Sequence, residues 1–347
     1  MAIGHEVSSF EPVSRLERFN SSRLLMRYLR YIHYPALVRK GANTGADVQH
    51  VVDHGYAHLA PALKSDLRLS NAHDLIPLLT WKGRIESLDL NGRRLTSGAN
   101  LRKPLLNLRS LSFLKDFDHI VSVSESTAND LIEFLNLERS QISIIPPALN
   151  TMFKPANETE ITAFKQRYRL DPTMKWVMLT GREAYKNHPN AFAAIKLLVD
   201  SSDHHIGIVR TGLASTEFEH LVQRYGVQDR VRNLFLNYTE LPVLYSSVDC
   251  LLFPSLYEGF GMPVAEAIAC GTPAVISNRG SLPEVANQLA VACDPFDVEG
   301  MAGALSNALY DQEHRQQIAQ NGPTEMLKYH PKRIGQSLDT LYRRLLN

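Results

Sequence analysis

From about residue 46 onward, short apolar runs alternate with amphipathic stretches. Apolar runs bounded by turn residues are typical of buried strands, and the stretches between them have helical spacing. Strands joined in this way by helices form βαβ units, whose strands are parallel. The sequence therefore predicts an α/β protein, and the strands expected in its first half are residues 48–52, 67–71, 119–123 and 142–145.

The second half shows the more complete pattern. Six strands in this alternation make a full Rossmann-like domain; they are predicted at residues 176–180, 206–211, 231–236, 248–253, 274–277 and 290–293. A domain of this type opens with a strand that runs into a glycine-rich turn, but residues 1–45 contain only Gly4, Gly41 and Gly45. The first half is therefore expected to lack, or to have heavily altered, one early βα unit.

The length of 347 residues suits two domains of about 150 residues each. We predict an amino-terminal Rossmann-like domain over residues 1–155 and a carboxyl-terminal one over residues 156–330. Residues 331–347 have helical spacing and are expected to cross back to the first domain. Two domains imply a cleft, and clefts bind ligands.

Composition excludes several classes of protein. Apolar residues make up 44% of the chain and charged residues 21%, which is the balance of a globular protein. No apolar run approaches the roughly 18 residues of a membrane span, and the first residues lack the apolar centre of a secretion signal, so a cytoplasmic protein is expected. Cys250, Cys270 and Cys293 follow no metal-ligand spacing, and we expect buried free thiols.

The first 110 residues carry more basic than acidic side chains. Much of this charge lies in one segment with helical spacing, at Arg15, Arg18, Arg23, Arg27 and Arg30. Such a helix suits peripheral contact with an anionic membrane surface, at the inner face of the cell membrane, or the phosphate of a lipid-linked ligand. The alternative is a surface helix with a solvated basic face.

The densest chemical pattern is PSLYEGFGMPVAEAIACGTPAVIS, residues 254–277. A strand leads into a loop with Glu258 and Gly261, and a helix then begins near Pro263 and ends before Gly271. Glycines let backbone amides approach a ligand, and the start of a helix presents free N–H groups to a phosphate. This stretch predicts a phosphate-binding turn.

Glu258 and Glu266 lie eight positions apart across that turn. Carboxylates accept hydrogen bonds from vicinal hydroxyls, so two of them at this separation suit two sugar rings that flank a diphosphate. The alternative is that Glu266 only balances the helix dipole and that Glu258 is a solvated loop residue. A second pattern, TGREAYKNHPNAF at residues 180–192, places Arg182 and Lys186 after a strand, and two fixed cations there suit a diphosphate.

Taken together, these patterns resemble the retaining family-4 glycosyltransferases, which have the two-domain GT-B fold. The resemblance runs from about residue 46 to the end. SLYEGFGMPVAEA is similar to the paired-glutamate motif of that family, and GREAYKN resembles its phosphate clamp. Further similarity lies in AHDLIPL, VSVSESTANDL, LPVLYSSVDCLLFPS and GSLPEVA.

The resemblance implies roles for particular residues. Glu258 and the backbone amides of Phe260, Gly261 and Met262 would bind the donor sugar and its phosphate, and Glu266 would bind the ribose.

In the same family pattern, Arg182 and Lys186 would bind the diphosphate, and His73 in AHDLIPL would lie beside the donor sugar and the acceptor. The implied activity is transfer of a hexose of the mannose or glucose type from a nucleotide-diphosphate sugar to a glycan or a lipid-linked acceptor, as in polysaccharide biosynthesis. Retention of configuration is implied, with no metal and no cofactor.

The chain also departs from the family pattern. Pro146-Pro147-Ala148 replaces a usual Pro-Asn-Gly, Asn237 replaces a usual glycine near the base, and the amino-terminal glycine loop has no clear counterpart. The alternative function is therefore a non-catalytic nucleotide-sugar-binding or assembly subunit derived from this family.

Three other classes fit less well. A metal-dependent GT-A transferase needs an Asp-x-Asp pair at a strand end, but Asp116-Phe117-Asp118 precedes a predicted strand. A dinucleotide oxidoreductase needs a third glycine that is missing after Gly259 and Gly261. A GT-B-type epimerase would turn over the sugar without an acceptor.

Overall fold

The computed structural model of the chain describes residues 6–9, 23–41, 45–88, 94–95, 105–201, 205–212 and 215–347. The chain divides into two compact units. The first unit comprises residues 1–81, 102–146 and 332–347, and the second comprises residues 82–101 and 147–331. The domain boundary near residue 155 stays a prediction.

In the first unit, the sheet consists of four parallel strands: β1 (Val48–Val51), β2 (Leu67–Ala72), β5 (His119–Ser122) and β6 (Ile142–Ile144). Their order in the sheet is β1-β2-β5-β6. All four lie where the apolar runs predicted them. The described residues that precede β1 are helical or irregular, and the lack of an opening βα unit stays a prediction.

The α-helices of the first unit are α1 (Arg23–Tyr28), α2 (Tyr34–Gly41), α3 (Ile76–Trp81), α4 (Leu105–Ser112), α5 (Glu125–Leu135) and α14 (Pro331–Leu346). A π-helical turn, Leu29–His33, joins α1 to α2. Helix α5 begins after Ser124, whose Oγ accepts a hydrogen bond from the Thr127 amide at 3.0 Å.

The long helix α14 packs on the sheet of the first unit. Ile334 and Leu341 are buried in one cluster with Leu67, Leu69 and Val121 of the strands. The apolar residues of α14 recur at helical spacing and so form one stripe along the helix. This stripe faces the sheet, and the arginines near the end of the helix remain exposed.

The basic amino-terminal segment is described in part. Arg15 and Arg18 lie outside the described residues. In α1, the π-helical turn and α2, one face is buried against the segment after β1, in a cluster of Leu29, Tyr34, Val38, Leu59 and Ala62. Met26, Tyr28 and Ile32 are exposed. Among the described helices, none has the length and apolar character that crossing a membrane requires.

In the second unit, six parallel strands form the main sheet: β7 (Lys175–Leu179), β8 (Ile206–Thr211), β9 (Val231–Leu234), β10 (Cys250–Phe253), β11 (Ala274–Ser277) and β12 (Val291–Cys293). Their order is β12-β11-β10-β7-β8-β9. This confirms the predicted Rossmann-like sheet. The strand order reverses between β7 and β10, and in open α/β sheets ligands bind beyond the carboxyl ends of the strands at that point.

Its α-helices are α6 (Glu158–Arg167), α7 (His188–Asp200), α8 (Thr216–Arg224), α9 (Leu241–Ser247), α10 (Met262–Ala269), α11 (Leu282–Ala286), α12 (Val298–Tyr310) and α13 (Gln312–Glu325). Side chains of α7, α8 and α12 bury one face of the sheet in a large apolar cluster. A short antiparallel pair, β3 (Ser87–Leu88) and β4 (Arg94–Leu95), also belongs to this unit.

Candidate functional site

The loops after β7 and β10 meet at the reversal point of the second sheet. Tyr185, in the loop after β7, accepts a hydrogen bond at its carbonyl from the Leu256 amide of the other loop, at 2.7 Å. Asn187 joins the loops a second time. It is fully buried, and its side-chain amide donates to the carbonyls of Pro254, at 3.2 Å, and Pro295, at 2.7 Å. The two predicted motifs, after β7 and β10, are therefore joined by hydrogen bonds at one site.

Lys186 and Glu258 form an ion pair at this point. The Lys186 Nζ donates to Glu258 Oε1 at 2.6 Å, and each side chain is only 11% exposed. The ammonium also lies 4.6 Å from the ring centre of Phe253 and 5.1 Å from that of Tyr185. An ammonium has three donors, so Lys186 keeps donors for a further anion beside Glu258.

The loop after β11 contacts the backbone of Glu258. Ser281 Oγ lies 2.7 Å from the Phe260 carbonyl oxygen and 3.0 Å from the Glu258 carbonyl oxygen, so its single O–H can donate to either, and the Ser281 amide donates to the Glu258 carbonyl at 3.3 Å. Gly280 packs directly against the Glu258 backbone, with φ at +57°. The motif GSLPEVA thus fixes the position of the main chain that carries Glu258.

Gly280→Ala should destabilise the second unit and displace Glu258. A Cβ at this position would lie 2.9 Å from the Glu258 carbonyl oxygen, a backbone atom, and φ is left-handed. We expect the free energy of unfolding to fall by about 1–3 kcal/mol, measured by thermal or urea unfolding. Gly303→Ala is the matched control, because nothing lies within 4 Å of its added Cβ in α12; it should be neutral or slightly stabilising. Equal effects of both changes would contradict this account.

Helix α10 begins at the predicted place. Gly261 has φ at +100°, in the left-handed region, and Pro263 lies in the first turn. In the part of the chain that the structure describes, the amides of Phe260, Gly261 and Met262 donate no hydrogen bond to protein. They are the free N–H groups that an anion needs at the start of a helix.

Glu266 is buried on α10 and is bound by a tyrosine. The Tyr245 hydroxyl donates to Glu266 Oε2 at 2.8 Å, and burial raises the pKa of Glu266 although this hydrogen bond opposes the shift. Asn237, which replaces the expected glycine, has φ at −72°, a conformation open to any residue. The Asn237 backbone N–H donates to Glu240 Oε2 at 3.0 Å.

Arg182 lies on the same turn as Lys186 but is exposed. Its amide donates to Glu183 Oε2 at 3.0 Å. Sequence reasoning missed Arg210, a buried arginine of β8, whose guanidinium donates to the Gly181 carbonyl at 3.0 Å. It also missed Asn187. The one signal for Asn187 was an asparagine directly before a helix, since its left-handed φ of 59° suits that residue type.

His73 belongs to the first unit, directly after β2. Its Nε2 lies 2.8 Å from the Val52 carbonyl, which only accepts, so Nε2 carries the proton and Nδ1 of the neutral ring is an acceptor. The His73 amide donates to His54 Nδ1 at 3.2 Å. Burial lowers the pKa of His54, although Asp74 and Asp53 oppose the shift.

The Asp116-Phe117-Asp118 segment has a structural use. Asp118 accepts hydrogen bonds from the Arg68 amide, at 2.8 Å, and from its guanidinium. Burial opposes ionisation of Asp118, but these hydrogen bonds from Arg68 keep its pKa below the usual value. Among the described residues, no group of three or more His, Cys, Asp or Glu side chains is arranged to hold a metal ion.

Within the second unit, residues 82–88 contact the loop after β11. Arg279 Nη1 lies 3.1 Å from Glu86 Oε1, and its guanidinium lies 4.9 Å from the ring centre of Phe296. Arg279 directly precedes Gly280 in the loop behind Glu258. Residues from the first part of the chain therefore pack beside the loops of the candidate site.

Two parallel α/β sheets of four and six strands, with paired loops at a strand-order reversal, define a GT-B fold. A solved structure supports this fold: an Anabaena protein in complex with UDP and glucose matches with a TM-score of 0.71 at 15% identity, over 95% of this chain and 83% of that one. Family models match nearly the whole chain, "Glycosyltransferase Family 4" over residues 4–153 and "Glycosyl transferases group 1" over residues 161–325. The chain belongs to the family-4 glycosyltransferases.

Two relatives from Escherichia coli show the kind of protein that this chain resembles. It is 28% identical to O-antigen chain mannosyltransferase B over 57% of this chain and 53% of the relative. It is 26% identical to the serotype-specific mannosyltransferase WbdA over 83% of this chain and 36% of that relative. The chain thus matches about half or less of the length of these two relatives.

Proposed function

We propose that this chain is a retaining glycosyltransferase that moves a hexose from a nucleotide-diphosphate sugar to a glycan or a lipid-linked acceptor. The observation that carries this proposal is the buried Lys186–Glu258 pair, at 2.6 Å, beside the unused amides at the start of α10. A cation, free N–H groups and a carboxylate at one place suit a sugar joined to a diphosphate.

In this proposal each group at the site has one task. Lys186 binds a phosphate oxygen with its remaining donors, and the amides of Phe260, Gly261 and Met262 bind a phosphate and the sugar. Glu258 accepts hydrogen bonds from the hydroxyls of the sugar. Glu266 accepts from the ribose, and Arg182, on its exposed turn, closes on the diphosphate.

The chemical step needs no nucleophile from the protein. The bond between the anomeric carbon and the phosphate oxygen breaks while the acceptor hydroxyl attacks the same face, and its proton passes to the departing phosphate. Lys186 and the helix start stabilise the charge that grows on that phosphate, and they stabilise it more in the transition state than in the bound donor. Retention of configuration and independence of metal are parts of this proposal.

The relatives favour mannose or glucose as the sugar. Both Escherichia coli relatives are named mannosyltransferases, and the Anabaena protein was solved with UDP and glucose. We propose a hexose of this type and an acceptor used in polysaccharide biosynthesis. The proposal includes a cytoplasmic site of action, with contact between the basic amino-terminal segment and an anionic membrane surface.

A donor panel tests the proposed function. The purified chain is incubated with UDP-glucose, GDP-mannose and ADP-glucose, with and without a set of glycan acceptors, and release of the nucleoside diphosphate and formation of the product are measured. Acceptor-dependent release with a retained anomeric centre is expected. Binding without release in the presence of acceptors would favour the non-catalytic subunit, and turnover of the sugar without any acceptor would favour an epimerase.

His73→Ala should impair transfer more than nucleotide binding. The change removes the Nδ1 acceptor from the carboxyl end of β2, while the nucleotide is held by residues of the second unit. We expect kcat to fall by about tenfold or more and the Kd for the nucleoside diphosphate to stay within about threefold. His220→Ala, at an exposed position of α8, is the control. An equal loss of transfer and nucleotide binding would count against the proposed role of His73.

A further inference from the structure

Arg210 is a buried cation next to the candidate site that none of the roles proposed above uses. It lies in β8, in register with Leu179 of β7, close to the carboxyl ends of both strands. Its side chain is almost fully buried, at 2% exposure. Taking a guanidinium out of water is costly, and an apolar residue on this strand would avoid that cost.

The contacts of Arg210 direct it at the turn after β7. Its guanidinium donates to the Gly181 carbonyl at 3.0 Å and lies 4.8 Å from the ring centre of Phe218. Gly181 in turn packs on the stem of Lys186, because a Cβ added at Gly181 would lie 2.7 Å from Lys186 Cε. Arg210, Gly181 and Lys186 therefore form a continuous series of contacts.

The charged groups near Arg210 are the Glu183 carboxylate and the Arg182 guanidinium; burial lowers the pKa of Arg210, Glu183 opposes this shift and Arg182 adds to it, so two cations and one carboxylate lie at this turn. Carbonyl oxygens and aromatic rings hold a guanidinium without cancelling its charge. His188, whose ring also contacts Phe218, donates from Nε2 to the Thr180 carbonyl at 3.2 Å. Burial, with the Arg210 charge adding to it, lowers the pKa of His188 to about 4, so this neighbour is neutral near pH 7.

We propose that Arg210 is a positioning residue for the diphosphate of the donor, which fixes the turn of residues 180–186 through the Gly181 carbonyl and adds a buried positive charge beside it. This inference rests on the proposed function. A buried charge is poorly screened by solvent, so it acts on a bound anion more strongly than an exposed lysine does. A diphosphate carries more negative charge than a monophosphate, so the Arg210 charge should strengthen its binding more.

The test compares nucleotides that differ in charge. Kd values for UDP, GDP and ADP, and for UMP, GMP and AMP, are measured by calorimetry on the full chain and on Arg210→Met, Arg210→Gln and Arg210→Lys. Ile208→Ala is the matched control, because Ile208 is a buried residue of the same strand and its truncation removes packing without removing charge. Transfer kinetics are measured in parallel for each variant.

With Met or Gln at position 210, the Kd of the best-bound diphosphate should rise about tenfold, and that of its monophosphate less than about threefold. Lysine should keep the preference for the diphosphate within about threefold, with a lower kcat, because it cannot hold the carbonyl as a guanidinium does. Unchanged binding in the neutral variants, or equal losses for both nucleotides as in Ile208→Ala, would overturn the inference.

If both neutral variants fail to fold, the lysine variant decides the question, and loss of its preference for the diphosphate despite the retained charge overturns the inference. The proposed function is judged separately, on the unmodified chain. If that chain binds none of the three diphosphates, the proposed function and this inference are both wrong. If it binds one of them and the neutral variants bind it equally well, only the inference is wrong.

Discussion

Lys186→Met should lower kcat/KM for transfer by about 10²–10³-fold, which is the usual effect of removing one group that stabilises charge in a transition state. Methionine keeps most of the length of the apolar stem, which packs against Gly181, so the loss isolates the charge. The Kd of the nucleoside diphosphate should rise as well, since the ammonium binds the phosphate both before and during the reaction. Steady-state kinetics and calorimetry measure the two quantities.

Stability must be measured beside activity in this variant. Breaking a buried pair leaves Glu258, at 11% exposure, without its cation, and such changes cost up to about 3–5 kcal/mol. The double variant Lys186→Met/Glu258→Gln removes both charges and should recover much of the stability but none of the activity. Lys196→Met, at the exposed pair with Asp200, is the matched control and should change neither quantity. Transfer by Lys186→Met at the unmodified rate would show that the site is misplaced.

Glu258→Gln should lower kcat/KM by about 10²-fold or more without weakening the binding of the nucleoside diphosphate. The carboxylate is proposed to accept hydrogen bonds from the transferred sugar, which a free nucleoside diphosphate lacks, so only sugar-dependent steps lose an interaction. Binding of the diphosphate alone should tighten, because Lys186 no longer shares its charge with Glu258. The Kd of the nucleoside diphosphate is therefore expected to fall in Glu258→Gln and to rise in Lys186→Met, although kcat/KM falls in both.

The comparison needs a control of the same chemistry. Glu299→Gln changes an exposed glutamate in the first turn of α12 and should leave transfer and binding unchanged. If Glu258→Gln weakened the binding of the nucleoside diphosphate and the binding of the intact donor by the same factor, Glu258 would have no specific contact with the sugar. A lowered Tm in that variant would mean that the loop, held by Ser281, had moved.

Local patterns predicted much of this fold because they report local physics. Alternating apolar runs placed every strand of both main sheets within a few residues, since burial on both faces of a parallel sheet requires such runs. Pro263 with Gly261 predicted the start of α10, and Ser124, a residue type that caps helices, begins α5. Each depends on backbone groups within a few residues, so the chain alone specifies it.

Contacts between distant residues lay beyond this reasoning. Asn187 reaches Pro295, and Glu86 reaches Arg279, across more than a hundred positions of the chain. No local spacing indicates such a pair, because it depends on the order of strands in the sheet. For the same reason, Arg210 looked like an ordinary residue of a strand until its position beside β7 was known.

By itself, the sequence determined the class of fold, the two motifs after β7 and β10, and the residue types available to bind a diphosphate sugar. Only the tertiary structure decided that Lys186 and Glu258 form a buried pair, that Gly280 and Ser281 hold the Glu258 backbone, and that a buried arginine lies beside the turn. The physical reason is that periodicity and capping act over a few residues, whereas the partners of a side chain at a strand end are set by which strands are neighbours.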